Sequence, residues 1–119
     1  MTIQSEQIAA LNDRFRSQFM MPLHFEKFIV PGRVVITSGV TSMTGIEKME
    51  IFVKVCKFDS FSSENDPYGE HDFGAFEHNG RKIFWKIDYY ALDLMHGSDD
   101  PTDLTKTVRV LTIMLANEY

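Results

Sequence analysis

The chain has 119 residues, 44% of them apolar and 24% charged, and carries a net charge of −5. That size predicts one domain over 1–119, able to bury a core without disulfides or metals, and the composition excludes a disordered tail. The acidic balance argues against broad binding to nucleic acid or an anionic membrane, which both need a basic surface. One cysteine, Cys56, excludes an intrachain disulfide.

Residues 2–18 read as an amphipathic helix. Thr2 or Ser5 can cap it, and Ile8, Leu11, Phe15 and Phe19 recur at helical spacing. Asn12, Asp13 and Arg16 are placed on or near the solvated side. Pro22 blocks continuation. Phe25–Val30 and Arg33–Thr37 read as strands around Pro31-Gly32, with a connection wider than a two-residue turn.

Met43–Lys48 is ambiguous, and Met49–Phe58 reads as a strand. In it Met49, Ile51, Val53 and Val55 face one way, while Glu50, Lys54 and Cys56 face the other. Cys56 is then a buried, inert thiol. Asp59–Asp72 follows as a polar loop, long enough for a working role.

Asn79-Gly80 is the strongest two-residue hairpin signal, because both positions tolerate positive φ. Counting outward pairs His78 with Arg81, Glu77 with Lys82, Phe76 with Ile83, Ala75 with Phe84, Gly74 with Trp85 and Phe73 with Lys86. Extended further, the register sets Asp72 opposite Ile87 and His71 opposite Asp88. Phe76, Ile83, Trp85 and Ile87 form the core face. A second helix is predicted over 102–117, capped by Asp100 with Pro101 at its first position and carrying the stripe Leu104, Val108, Leu111 and Leu115; the β-branched residues Val108, Val110, Thr112 and Ile113 weaken it and leave a strand as the minority reading. The expected fold is α+β: an antiparallel sheet of about four to five strands, with an N-terminal and a C-terminal helix packed on it.

Chemistry is sought around Asn65–Gly74. Asp66, Glu70, His71, Asp72, His78 and Asp88 carry metal-ligating groups, but adjacent residues in extended chain point to opposite faces and no paired ligand motif is present. No metal and no cofactor are expected. Phosphate-binding glycine motifs are absent. Lys82 and Lys86 with Phe73 and Phe84 resemble a fragment of a nucleic-acid platform, against which the acidic balance speaks. His71 opposite Asp88 has two readings. It is a structural bond pinning the loop to the hairpin, or an acid–base pair assisted by Glu70 and Tyr90. Asp66, Tyr68 and Lys86 are the candidate binding residues.

Several segments resemble an uncharacterised bacterial family, domain of unknown function 3768. They are Leu11-Asn12-Asp13-x-Phe15-Arg16, Thr37-x-Gly39-Val40, Asn65–Gly74, Trp85-Lys86-Ile87-Asp88-Tyr89-Tyr90 and Arg109–Met114. Ala91 departs from the family pattern. The resemblance implies short cytoplasmic proteins encoded near plasmid or other mobile-element genes, and supplies no activity, cofactor or catalytic residue. No apolar run approaches the ~18 residues of a membrane helix and no secretory pattern opens the chain, so a cytoplasmic protein is expected. The leading expectation is an accessory protein that binds a protein partner, for instance a restriction or CRISPR component. Nucleic acid and membrane are not expected as partners. The alternative is a small hydrolase-like enzyme using His71 and Asp88 as an acid–base pair, with or without a metal.

Overall fold

A computed structural model describes residues 2–20 and 29–119. The first helix, α1 (Ile3–Ser17), starts at Thr2. Thr2 accepts from the Ser5 amide while Ser5 Oγ accepts from the Thr2 amide, a reciprocal capping box. It buries Ile8, Ala9, Asn12, Phe15 and Arg16 along one stripe, and runs into a 3-10 turn at Gln18–Met20. The expected solvated side is thereby corrected for Asn12 and Arg16, which are 0% and 2% exposed. Asp13 is exposed as expected.

Next come β1 (Gly32–Ile36), the single turn α2 (Ser38–Thr41) and α3 (Gly45–Cys56). The strand expected at Phe25–Val30 falls mostly outside the described residues. The strand expected at Met49–Phe58 is instead most of α3. Thr44 caps it by accepting from the Glu47 amide at 3.1 Å, and Ile51, Val55 and Cys56 share its buried side. Alternation and helical spacing coincide at Ile51 and Val55, so the pattern did not separate them. Met49, predicted to face inward with them, is 61% exposed.

The hairpin β2 (Phe73–His78) and β3 (Arg81–Tyr90) has the predicted register at all six pairs from His78–Arg81 to Phe73–Lys86. Asn79 and Gly80 both take positive φ in the turn. A Cβ at Gly74 would meet three Trp85 ring atoms at 2.3–2.8 Å, so the bare backbone lets the ring lie on the strand.

The C-terminal helix expected over 102–117 survives only as the 3-10 turn Ala116–Glu118. Val108–Leu115 is strand β4, running antiparallel to β3 and parallel to β1. The β-branched run suits a strand with neighbours on both sides, and that tertiary pairing outweighs the helical stripe. The result is an α+β fold on a four-stranded sheet, order β1-β4-β3-β2, mixed rather than antiparallel throughout. Phe15, Val30, Ile51, Val55, Ile83, Trp85, Leu111 and Ile113 form the core between helices and sheet. Among the described residues no helix is long and apolar enough to cross a membrane.

Candidate functional site

Loop 59–72 is built around two side chains. Asn65 accepts from the Ser62 amide and donates to the Ser60 carbonyl, both at 2.9 Å. Asp66 is 8% exposed, and its carboxylate accepts from the amides of Glu70 and His71 at 3.1 and 3.2 Å. Gly69 at φ 70° closes a turn back to the Asp66 carbonyl. Asp66 therefore fixes the loop backbone. Tyr68, between these anchors, is 77% exposed.

His71 departs from the extrapolated register. Its φ is 55°, so the strand pairing stops and the ring turns toward α1. Nδ1 lies 3.0 Å from both carboxylate oxygens of Asp13, Nε2 lies 3.8 Å from Asp66 Oδ2, and the ring stacks on Phe61 at 4.0 Å with planes 2° apart. Asp88 instead pairs with Lys86 at 2.7 Å, and that bond pushes the lysine pKa upward. The His71–Asp88 hydrogen bond considered from sequence is thus replaced by His71–Asp13 and Lys86–Asp88.

Glu70 turns the other way. Its carboxylate accepts from the Tyr89 hydroxyl at 3.1 Å and its carbonyl accepts from Asn12 Nδ2 at 2.9 Å. Asn12 also donates to the Tyr89 oxygen, and Arg109 Nε donates to Asn12 Oδ1 at 2.6 Å. Arg109 is 0% exposed and reaches the Pro101 carbonyl as well. Burial drives the Tyr89 pKa far up, so its hydroxyl stays a donor. Tyr89, on the helix-covered face, and not the Tyr90 singled out from sequence, is the tyrosine beside Glu70. Tyr90 closes β3 in a bridge to Gly97.

Arg16 is the second buried guanidinium. It donates to the carbonyls of Val55 and Phe58, closing the end of α3, and to Asp13 at 2.9 Å, while its plane lies 4.6 Å over the Trp85 ring. One carboxylate, Asp13, thus serves both Arg16 and His71. Beside it opens a cleft of about 350 Å³, lined in part by Asp13, Arg16, Cys56, Lys57, Phe61 and His71. Burial pushes the Cys56 thiol up to about 11, which removes it as a nucleophile at neutral pH. Among the described residues no group of three or more His, Cys, Asp and Glu is set to hold a metal.

Asp72 is the perturbed acid of the site. Burial first, then the charges of Glu70, Asp66 and Asp88, push its carboxyl up to about 6, with a backbone hydrogen bond opposing them. With Ile87 N–H donating to its carbonyl at 2.8 Å, it carries the predicted pairing one residue beyond β2.

Asn12, Asp13, Arg16, Tyr89 and Arg109 were not singled out for the site from sequence. The available signal was polarity at apolar positions. Asn12 and Arg16 interrupt the stripe of Ile8, Leu11 and Phe15, and Arg109 sits inside the apolar run Val108–Leu111. A long polar side chain at a core position implies a buried partner.

No curated protein and no solved structure matches the chain. The family described as protein of unknown function (DUF3768) matches residues 36–118, which hold strands β2 to β4 and only the last residue of β1, together with loop 59–72. On that match over most of its length, the chain belongs to the DUF3768 family.

Proposed function

We propose that the protein acts by binding a protein partner through loop 59–72, with Tyr68 as the anchoring side chain. The observation that carries this reading is a large, exposed aromatic on a backbone already held by Asn65 and the buried Asp66 carboxylate. A ring presented on an ordered loop loses little conformational entropy on association. The net charge of −5 favours a basic partner surface, such as the nucleic-acid channel of a restriction or CRISPR nuclease. Asp59 and Glu64 are the exposed acids of this loop.

The test is affinity capture with wild type and Tyr68→Ala from cells encoding such nucleases, followed by titration of the captured partner. Tyr68→Ala should leave the fold intact and weaken binding by on the order of 2 kcal/mol, about thirtyfold in Kd. A partner held equally by the variant removes this loop as the contact. A hydrolase-like role is the second reading, favoured by the cleft beside His71 and Asp13. Hydrolysis of model esters or phosphate esters should then be lost in His71→Asn. Against this role, Nε2, the nitrogen left to act as a base, lies 3.8 Å from the Asp66 carboxylate rather than beside a nucleophile.

A further inference from the structure

We propose that strand β2 is an open edge that takes up an extended acidic peptide as an added strand, with one apolar side chain of that peptide seated in the cleft between β2 and α3. β2 is last in the sheet and pairs with β3 alone. The Ile87 amide donates to the Asp72 carbonyl, which fixes the phase of the ladder. Gly74, Phe76 and His78 therefore exchange bonds with β3, and the N–H and C=O groups of Phe73, Ala75 and Glu77 point outward. None of these outward groups finds a partner among the described residues. Proline, a bulge or lysines ordinarily blunt such an edge. β2 pairs without interruption over its six residues and contains no Pro, Lys or Arg. It is a free template for one more strand.

The cleft beside this edge selects the occupant. It holds about 400 Å³ and is lined by the apolar Val53, Phe58, Ala75 and Phe76 together with Lys54 and Lys57. Every second side chain of an added strand faces this cleft, and the others face the open side of the sheet. Lys54 Nζ lies 3.0 Å from His78 Nδ1 and 5.7 Å from the Phe76 ring centre. Neither lysine ammonium has a carboxylate partner among the described residues, because Glu50 lies instead by His78 Nε2, at 3.7 Å. Two uncompensated cations at an apolar cleft fit an apolar residue flanked by acids. They act locally, since charges beyond about 8 Å are screened at physiological salt, so the net charge of −5 does not cancel them. A second copy of the chain is the poorer occupant, because a two-fold pairing of β2 edges brings its own Lys54 and Lys57 to the same place.

Tyr68 does not line this cleft, so the edge stands or falls separately from the Tyr68 contact, and Tyr68→Ala should bind the probe as the wild type does. The probe is a labelled synthetic peptide of about nine residues with a central valine, in which glutamates on the valine's face alternate with threonines. In the free protein the amides of Phe73, Ala75 and Glu77 should exchange fast and those of Gly74, Phe76 and His78 slowly; saturating peptide should slow the first three at least about tenfold. Ala75→Pro removes an outward N–H without touching the ladder to β3, and should weaken the peptide at least about tenfold by fluorescence polarisation. The same peptide N-methylated at alternate amides should lose binding equally, an arm that does not depend on how the variant folds. Lys57→Glu, or lysines in place of the peptide's glutamates, should weaken it about three- to tenfold. The proposal is overturned by unchanged exchange at Phe73, Ala75 and Glu77 with about 1 mM peptide. It is equally overturned if the lysine or N-methylated peptide binds as well, or if Ala75→Pro retains full affinity. Concentration-dependent dimerisation that slows the same three amides without peptide would give the edge to a second copy instead.

Discussion

Two polar, aspartate-rich connections, loop 59–72 and loop 91–107, look alike in composition and behave differently in the fold. In loop 91–107 the aspartates bond their own neighbours. Asp93 takes the amides of Met95 and His96 and the His96 ring, Asp100 takes Thr102, and Asp103 takes Thr105. These are local turns, and in them the pKa of Asp93 is pulled down to about 2 by hydrogen bonds from Met95 and His96. In loop 59–72 the bonds reach further, and two side chains cross to other elements. Asp66 is buried under its own loop, Glu70 meets Tyr89, and His71 meets Asp13, while Asn12 and Phe61 seal the junction with α1. An aspartate that closes a turn shapes a few residues of chain. One that holds amides or cations inside a folded junction determines where a whole loop sits.

The largest expected effect is at the residue that joins the two regions. Arg109 bonds Asn12, which holds loop 59–72, and Pro101 in loop 91–107. Arg109→Met leaves both acceptors buried without a donor and should lower unfolding stability by about 3 kcal/mol, measured by urea denaturation. A change under about 1 kcal/mol would show that water replaces the guanidinium and that the loops are not coupled through it. Next is Asp66→Ala, which strands the buried amides of Glu70 and His71 and should cost about 2 kcal/mol.

Asp72→Asn has a smaller, pH-dependent effect of opposite sign. A carboxyl raised in the fold binds its proton more tightly there than in the unfolded chain, whose carboxyl keeps the ordinary value. Between that ordinary value and about 6 the folded state holds more protons, so stability falls as pH rises through this window. The penalty is complete above about 6 and absent below the ordinary aspartate range. Asp72→Asn should therefore stabilise at neutral pH by on the order of 1 kcal/mol, after allowance for solvent screening, and the gain should vanish near pH 4. Thermal melts of both proteins across that range check it. The smallest effect belongs to the local turns: Asp93→Ala should leave the urea midpoint unchanged, because the carboxylate it removes is solvated and bonds only residues beside it. A loss comparable to that of Asp66→Ala would end the distinction between the two loops.

Features set by near neighbours were legible in the sequence. The Asn79-Gly80 turn dictates its register because a two-residue loop with two positive φ values leaves one pairing, and the alternation of rings and charges agrees with it. Thr2 with Ser5 and the spacing of Ile8 and Phe15 identify α1 for the same local reason. At Gly45–Cys56 the local signal was degenerate, since Ile51 and Val55 fit either period. At Val108–Leu115 it was overruled, since the apolar stripe suited a helix but a place between β1 and β3 rewarded the β-branched residues as strand.

The candidate site lies at the far end of that scale. Composition and pattern by themselves determined an α+β domain, a hairpin register and a polar segment, Asn65–Gly74, where side chains converge. They could not determine whom His71 meets, because the strand register that sets it against Asp88 ends where the backbone turns to positive φ. Asn12 reaches Glu70 across 58 residues and Arg109 reaches Asn12 across 97. Partners at such separations are chosen by how α1 packs on the sheet, and packing is a property of the assembled core, not of any one segment.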